Sequence, residues 1–515
     1  MRVIRPARRR QPAAVVATLL TTVLLLAACG APPKVQTALE DVGKSDGSAT
    51  EGAPKGFEDF YGQSLEWTDC GEGFQCATAA APLSWHDAGS GSIEIALKRI
   101  PASGQKVGSL LVNPGGPGGS GVDFVGDPAR FGQSLRSSFD IVGFDPRGVG
   151  QSTPVKCFDD AGKDEFLSTD YPYTPGGLAD RQDAVREWGQ ACAENTGPLL
   201  GNVDTQSAAR DMDMLRGALG DDKLNFLGFS YGTQLGATYA GLFPKRTGRL
   251  VLDGALDTTL ASDEVALQQA EGFESALRAY VTDCQTSSDC PLTGDVTSGL
   301  QQIQAMVEDA EPNPIQTSSE RAVTKKLAFY GVAVTMYDEG SWSFLTQALQ
   351  EVFWEGTGDD LLYLADVYND RNEDGTFKSN SEEAFRAINC ADGRAEEDMT
   401  KMRTLATEIQ EAAPTLGESF GYSGIECTDW PYPPAEQEFD QAAKGAPPIV
   451  VVGTTNDPAT PYRWAESLAE TLSSGTLVTY EGEGHTAYGR SNTCVSTAVE
   501  DYLVEGTVPE DGLTC

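Results

Sequence analysis

The stretch "LNFLGFSYGTQLGATYAGLFP" (residues 224–244) decides how the chain is read. Its first six residues are mostly apolar, and a serine then stands between two glycines, in Gly228-Phe229-Ser230-Tyr231-Gly232. A short apolar run bounded by glycine predicts a strand buried on both faces. "TQLGATYAGLFP" then has the character of a helix. A strand that turns sharply into a helix at a serine lifts the hydroxyl clear of a sheet, and the flanking glycines let the backbone fold tightly there. The chain holds 56 glycines among 515 residues, so the pentapeptide alone can arise by chance. Other segments have to supply the partners a nucleophile needs.

Further apolar runs end in glycine-rich turns: 92–100, 108–116, 139–148, 248–255, 447–457 and 475–485. Helical patterns such as "SAARDMDMLRGAL" (207–219) lie between them and suit the crossovers of a parallel sheet. The predicted class is α/β, a mostly parallel sheet flanked by helices. Between the runs at 248–255 and 447–457 lie nearly 190 residues with helical periodicity, for example 263–283 and 342–356. An insertion of that size predicts a large helical cap.

A serine hydroxyl is too weak an acid to attack a carbonyl unaided and needs a base within hydrogen-bond reach. Histidine suits that task, and the chain has two, His86 and His485. His86 lies in an early turn. His485, in "YEGEGHTAYG", directly follows the last strand. Nucleophile, acid, then histidine is the chain order of the α/β-hydrolase fold, which excludes His86. The acid that orients the imidazole is then Asp457 in "VVVGTTNDPATP", at the end of the preceding strand. Glu481 and Glu483 stand too close to His485 in the same loop for that role. Two backbone donors must hold the developing oxyanion: Tyr231 N–H, and an N–H of the loop "NPGGPGGSG" (113–121), where Gly116 is preferred and Gly115 is next. That loop lacks the G-K-[ST] and G-x-G-x-x-G signatures of phosphate binding.

Thirty-seven basic residues against 76 acidic ones give a formal charge of −39, which excludes a nucleic-acid partner for want of a basic surface. Residues 1–28 read as a secretory signal: Arg2, Arg5, Arg8, Arg9 and Arg10, an apolar run, then Leu26-Ala27-Ala28-Cys29. That ending resembles a bacterial lipobox, with Cys29 as the lipidated residue. The apolar run is too short to span a bilayer. Residues 29–55 are rich in Gly, Pro, Ser and Ala and predict a flexible tether to that anchor. Ten cysteines remain, an even number that suits disulfides in an oxidising compartment. The connectivity stays open; the simplest is nearest-neighbour pairing, Cys70–Cys76, Cys157–Cys192, Cys284–Cys290, Cys390–Cys427 and Cys494–Cys515. No metal or organic cofactor is expected. The segment 370–382 copies part of a calcium loop but has Ser381 where such loops need a bidentate glutamate, so it reads as a turn before a helix.

"NPGGPGGSG", "GFDPRGVGQSTPVKC", "GFSYGTQLGATYAGLFP", "NCADG", "GTTNDPATP" and "GEGH" together resemble the actinobacterial tripeptidyl aminopeptidase family. These are exported serine exopeptidases of the α/β-hydrolase fold, related to prolyl aminopeptidases. The resemblance runs from about residue 56 to the end. It implies a core over 56–255 and 446–515, a cap over 256–445, and Ser230, Asp457 and His485 as a catalytic triad. It further implies that peptide or protein N-termini are the substrates. An exopeptidase has to pair the substrate's α-ammonium with a carboxylate, since an unpaired buried charge is costly. Asp392 in "AINCADG" is the candidate, with Glu426 in reserve. The expected protein is a monomer on the outer face of the cell membrane, or released to the medium, whose membrane contact runs through its N-terminal lipid alone. An esterase or lipase would use the same triad, and a peptide-binding lipoprotein with no activity is the reading from another class.

Overall fold

The computed structural model describes residues 52–393 and 396–515. Cys29, the signal segment and nearly all of the tether lie outside them. Among the described residues ten strands form one sheet. They are β1 (Thr68–Asp69), β2 (Gln75–Ser84), β3 (Asp87–Ile100), β4 (Gly108–Asn113), β5 (Phe139–Phe144), β6 (Leu224–Phe229), β7 (Thr247–Asp253), β8 (Ile449–Asn456), β9 (Gly475–Glu483) and β10 (Leu513–Thr514). Their spatial order is β1-β2-β3-β5-β4-β6-β7-β8-β9-β10. Strands β1 to β3 meander antiparallel and β3 joins β5 antiparallel; every pairing from β5 to β10 is parallel. This is the α/β-hydrolase fold.

The parallel strands are apolar on both faces. Leu110 and Val112 of β4 pack with Ile141, Leu227, Val251 and Val450, whereas Leu111 packs on the other side with Val142, Phe226, Leu250 and Val451. Burial on both faces is what turns a period-two strand into a continuous apolar run. The seven runs read from the sequence correspond to β3 through β9. β2, "QCATAAAPLS", gave no such signal, because alanine and proline are poor strand formers. It is held as the partner of β3 in a hairpin whose turn is Trp85-His86, and His86 is exposed there.

Between β7 and β8 the chain is helical. Phe273, Leu277 and Tyr280 of the helix Ser262–Cys284 share a core of their own with Val332 and Met336 of Lys325–Met336, Leu345 of Trp342–Gln350 and Leu361 of Asp359–Tyr368. The helix Ser381–Asp392 behaves differently. Its Ala384, Ala387 and Ile388 join the main core. The inserted segment therefore has one part with its own core and one part built into the body of the protein. The segment 370–382 forms a tight turn, with Asn372 N–H donating to the Thr376 carbonyl and Arg371 paired to Asp164. The helix begins at Ser381. Among the described residues five disulfides are present, joining Cys70–Cys76, Cys157–Cys192, Cys284–Cys290, Cys390–Cys427 and Cys494–Cys515, each cysteine to its neighbour in chain order.

One buried ion pair fixes the turn after β5. Arg147 and Asp211 are both fully buried, and the guanidinium donates to both carboxylate oxygens at 2.7 Å. Its other N–H groups reach the carbonyls of Pro82, Leu83 and Asn202. The same turn carries Asp145, whose carboxylate accepts from Ser120 Oγ at 2.6 Å and Val122 N at 3.0 Å and so anchors the end of the glycine-rich loop. Removing one partner of a satisfied buried pair leaves the other charge uncompensated, at a cost of about 3–5 kcal/mol. Arg147→Ala is accordingly expected to lower the guanidinium unfolding midpoint by an amount equivalent to about 3–5 kcal/mol. A change below about 1 kcal/mol would show that water enters and replaces the guanidinium.

Candidate active site

Ser230 sits between β6 and the helix Tyr231–Leu242 with φ 55° and ψ −124°, a left-handed conformation that non-glycine residues rarely hold. The turn is locked from below: Ser230 N–H donates to the Asp253 carbonyl at 2.8 Å, and the Ser230 carbonyl accepts from Thr233 N and Oγ1. Tyr231 N–H is the first of the helix, so it has no intrahelical partner and lies at the positive end of the helix dipole. A Cβ on Gly232 would lie 2.8 Å from the Asn113 carbonyl oxygen, which explains the second glycine of the motif.

The glycine-rich loop lies directly over this turn. Gly115 has φ +97°, and a Cβ there would sit 2.5 Å from the Phe229 carbonyl oxygen and 2.8 Å from Ser230 Cβ. Its N–H is already donated to Asn113 Oδ1 at 3.0 Å. Gly116 N–H has no such partner among the described residues, so of the two expected donors it is the one left for a ligand.

His485 and Asp457 are together. His485 Nδ1 lies 2.9 Å from each carboxylate oxygen of Asp457, which puts the imidazole proton on Nδ1 and leaves Nε2 as an acceptor. Asp457 is 2% exposed. Its lone pairs are otherwise taken by Ala459 N, Thr460 N, Thr460 Oγ1 and Thr486 N, at 2.8 to 3.1 Å. A carboxylate held by so many donors cannot rotate. The histidine is fixed in turn: its N–H donates to the Tyr337 carbonyl at 2.8 Å, the Tyr337 ring meets the imidazole edge-on at 5.5 Å, and Arg490 donates to its carbonyl. Ser230, Tyr231, Asp457 and His485 thus all stand at the carboxyl ends of β6, β8 and β9.

Asp392 closes the helix Ser381–Asp392 and is tied by the Cys390–Cys427 bridge. It accepts from Thr205 N at 2.6 Å and from Thr205 Oγ1, and the same hydroxyl is bonded to the phenol of Tyr231. A hydroxyl relay therefore runs from the residue after Ser230 to Asp392. Burial pushes the Asp392 carboxyl up to about 7, the two Thr205 bonds oppose this, and Asp204 adds to it. No cation pairs with it among the described residues. Glu426, the reserve candidate, is corrected by the structure: Arg181 and Arg386 both occupy its carboxylate, so it has no charge to offer an ammonium.

Some partners had no sequence signal. Tyr337 lies in the inserted segment, far along the chain from His485, and contributes a backbone carbonyl. Asp253 ends β7, where it reads as one more residue of a strand. Thr460, in the stretch that carries Asp457, has nothing in the sequence to mark it as a partner of that carboxylate. Among the described residues no cluster of His, Cys, Asp and Glu could hold a metal ion.

A family model described as TAP-like protein matches residues 413–515. The chain is 37% identical over 502 residues to carboxylesterase B of Mycobacterium tuberculosis, covering 94% of this chain and 95% of the relative. It is 36% identical over 477 residues to serine protease Hip1 of the same organism, covering 88% and 91%. It is 28% identical over 481 residues to a tripeptidyl aminopeptidase of Streptomyces lividans, covering 88% and 86%.

Because a side chain at 115 would press on both the Phe229 carbonyl and Ser230, Gly115→Ala is expected to cut kcat at least tenfold, about 1.4 kcal/mol of transition-state stabilisation. Steady-state kinetics on the folded variant check this. Unchanged kcat would mean that the loop yields without moving the serine.

Proposed function

Because the chain belongs to the TAP-like family of serine hydrolases, we propose that it is an exported serine aminopeptidase releasing short peptides, tripeptides foremost, from free N-termini. Ser230 attacks the scissile carbonyl. His485 takes its proton and passes it to the leaving amine, and Asp457 holds the imidazole tautomer and stabilises the imidazolium. Tyr231 N–H and Gly116 N–H receive the oxyanion. Water then resolves the acyl-enzyme by the same route in reverse. The enzyme works as a monomer at the outer face of the cell membrane, tethered through Cys29; the arginine-rich start and Leu26-Ala27-Ala28-Cys29 support this placement.

The observation that carries the aminopeptidase reading is Asp392, a desolvated carboxylate with no cationic partner among the described residues, linked by hydroxyls to the residue beside the nucleophile. An α-ammonium would supply the missing charge. An esterase remains the second reading, favoured by the similarity to carboxylesterase B.

The test is turnover of one tripeptide chromogenic amide with a free or an acetylated N-terminus, by wild type and Ser230→Ala. Hydrolysis of the free-amine substrate alone, lost in the variant, is the expected result. Equal cleavage of both substrates would move the assignment to a general esterase or amidase. Asp392→Asn should raise KM for the free-amine substrate at least tenfold, since it removes a charge from a desolvated pair.

The pH dependence has a definite sign. A carboxyl raised to about 7 is protonated below that pH and cannot pair an ammonium. The substrate's own amine loses its proton above about 8. KM for the free-amine substrate is therefore expected to be lowest between about 7 and 8 and to rise on either side. A flat profile from pH 5.5 to 7.5 would place the ammonium against another group.

A further inference from the structure

We propose that Asp253 is a positioning residue that holds the Ser230 turn and the His485 loop in register, and that catalysis needs its carboxylate ionised. The inference rests on the reading of Ser230 and His485 as the reacting pair.

Asp253 is the last residue of β7 and is fully buried. Its two ends serve two different segments. Its backbone carbonyl accepts Ser230 N–H at 2.8 Å and so fixes the strained turn. Its carboxylate accepts Ala487 N at 2.9 and 3.0 Å and Tyr488 N at 2.7 Å, the second and third amides after His485. One residue thus bridges nucleophile and base by accepting from three backbone N–H groups. The next residue completes the contact: a Cβ on Gly254 would stand 3.2 Å from His485 Cε1 and from Thr460 Oγ1, so the end of β7 lies against the imidazole.

The chemistry of the group fits a role beyond packing. Among the described residues all the bonds to its carboxylate are from neutral backbone amides, and no Lys or Arg pairs with it. A carboxylate buried without a counter-ion is expensive, and an asparagine or serine could accept the same amides more cheaply. The charged or titratable groups that bear on it are His485 and Asp457; the Tyr488 phenol is turned away to Gly132 N and Glu500. A fixed negative charge behind the imidazole favours the imidazolium that forms as the serine attacks. Burial raises the Asp253 carboxyl to about 6, while the Tyr488 and Ala487 amides and His485 hold it down. On falling through that pH it takes up a proton, and a protonated carboxyl would turn an O–H toward amides that need an acceptor.

The test compares wild type with Asp253→Asn and Asp253→Ser, which remove the charge and keep an acceptor. Readouts are kcat, KM, the pH profile of kcat, and the rate at which a fluorophosphonate labels Ser230. Each folded variant is expected to show kcat at least tenfold lower, KM within about twofold of wild type and labelling slowed in parallel. Wild-type kcat should fall through about pH 6 as Asp253 takes up its proton, and that part of the acid limb should be missing in Asp253→Asn. A folded variant with wild-type kcat, labelling rate and acid limb overturns the proposal. Failure of both variants to fold overturns it too, because the carboxylate would then serve the fold and not the histidine. Ser230→Ala separates the claims: activity surviving there removes the reading of the reacting pair, whatever Asp253 does.

Discussion

A serine held at φ 55° costs about 1–3 kcal/mol in backbone strain, and the surrounding structure has to pay it. The strain persists because the turn is over-determined. β6 delivers the chain rigidly from one side and the helix Tyr231–Leu242 removes it on the other. The Asp253 carbonyl takes the Ser230 N–H. The loop 113–121 is pressed on top, and Asp145 in the turn after β5 holds its end through Ser120 and Val122. The long parallel sheet is thus the anchor for one unfavourable residue. Strain at this point keeps the hydroxyl above the sheet, where a substrate carbonyl can meet it.

Much of the fold was legible because its strands are buried on both faces. Runs such as "SLLV" and "PPIVVVG" have one cheap explanation, a parallel sheet covered by helices, and they fell on β4 and β8. Where burial is one-sided and the residues small, as in "ATAAAP" of β2, the signal vanishes; hairpin pairing with β3 holds that strand, not its own propensity. The inserted helices were visible by their periodicity. Their division was not, since whether Ala384 and Ile388 join the main core or a separate one depends on packing between distant segments.

The site divides the same way. Ser230, Asp457 and His485 were legible because each stands at the end of an apolar run, in an order that only a few chemistries use. Residues that act through backbone groups left no trace: any residue at 337 could supply a carbonyl, and Asp253 looks like the polar end of a strand. Asp392 and Glu426 are both acids near the same disulfide, and spacing could not rank them. Arg181 and Arg386 on Glu426, and the Thr205 hydroxyl on Asp392, distinguish them, and Arg181 and Thr205 lie more than 180 residues away in sequence from the acids they meet.

The amide of the histidine rests on the carbonyl of Tyr337, which belongs to the inserted helices and not to the sheet. The insertion is therefore part of what holds the site together. A shortened chain made by deleting it would lose one of the supports of His485, so the sheet and its loops alone cannot hold that imidazole as this structure does. Because the support is a backbone atom, lineages are free to rewrite the side chains around it and so change what the site admits. They are constrained in where the helix ends. Divergence in specificity can then run ahead of divergence in architecture, and hydrolases of different named activities can share one ground plan.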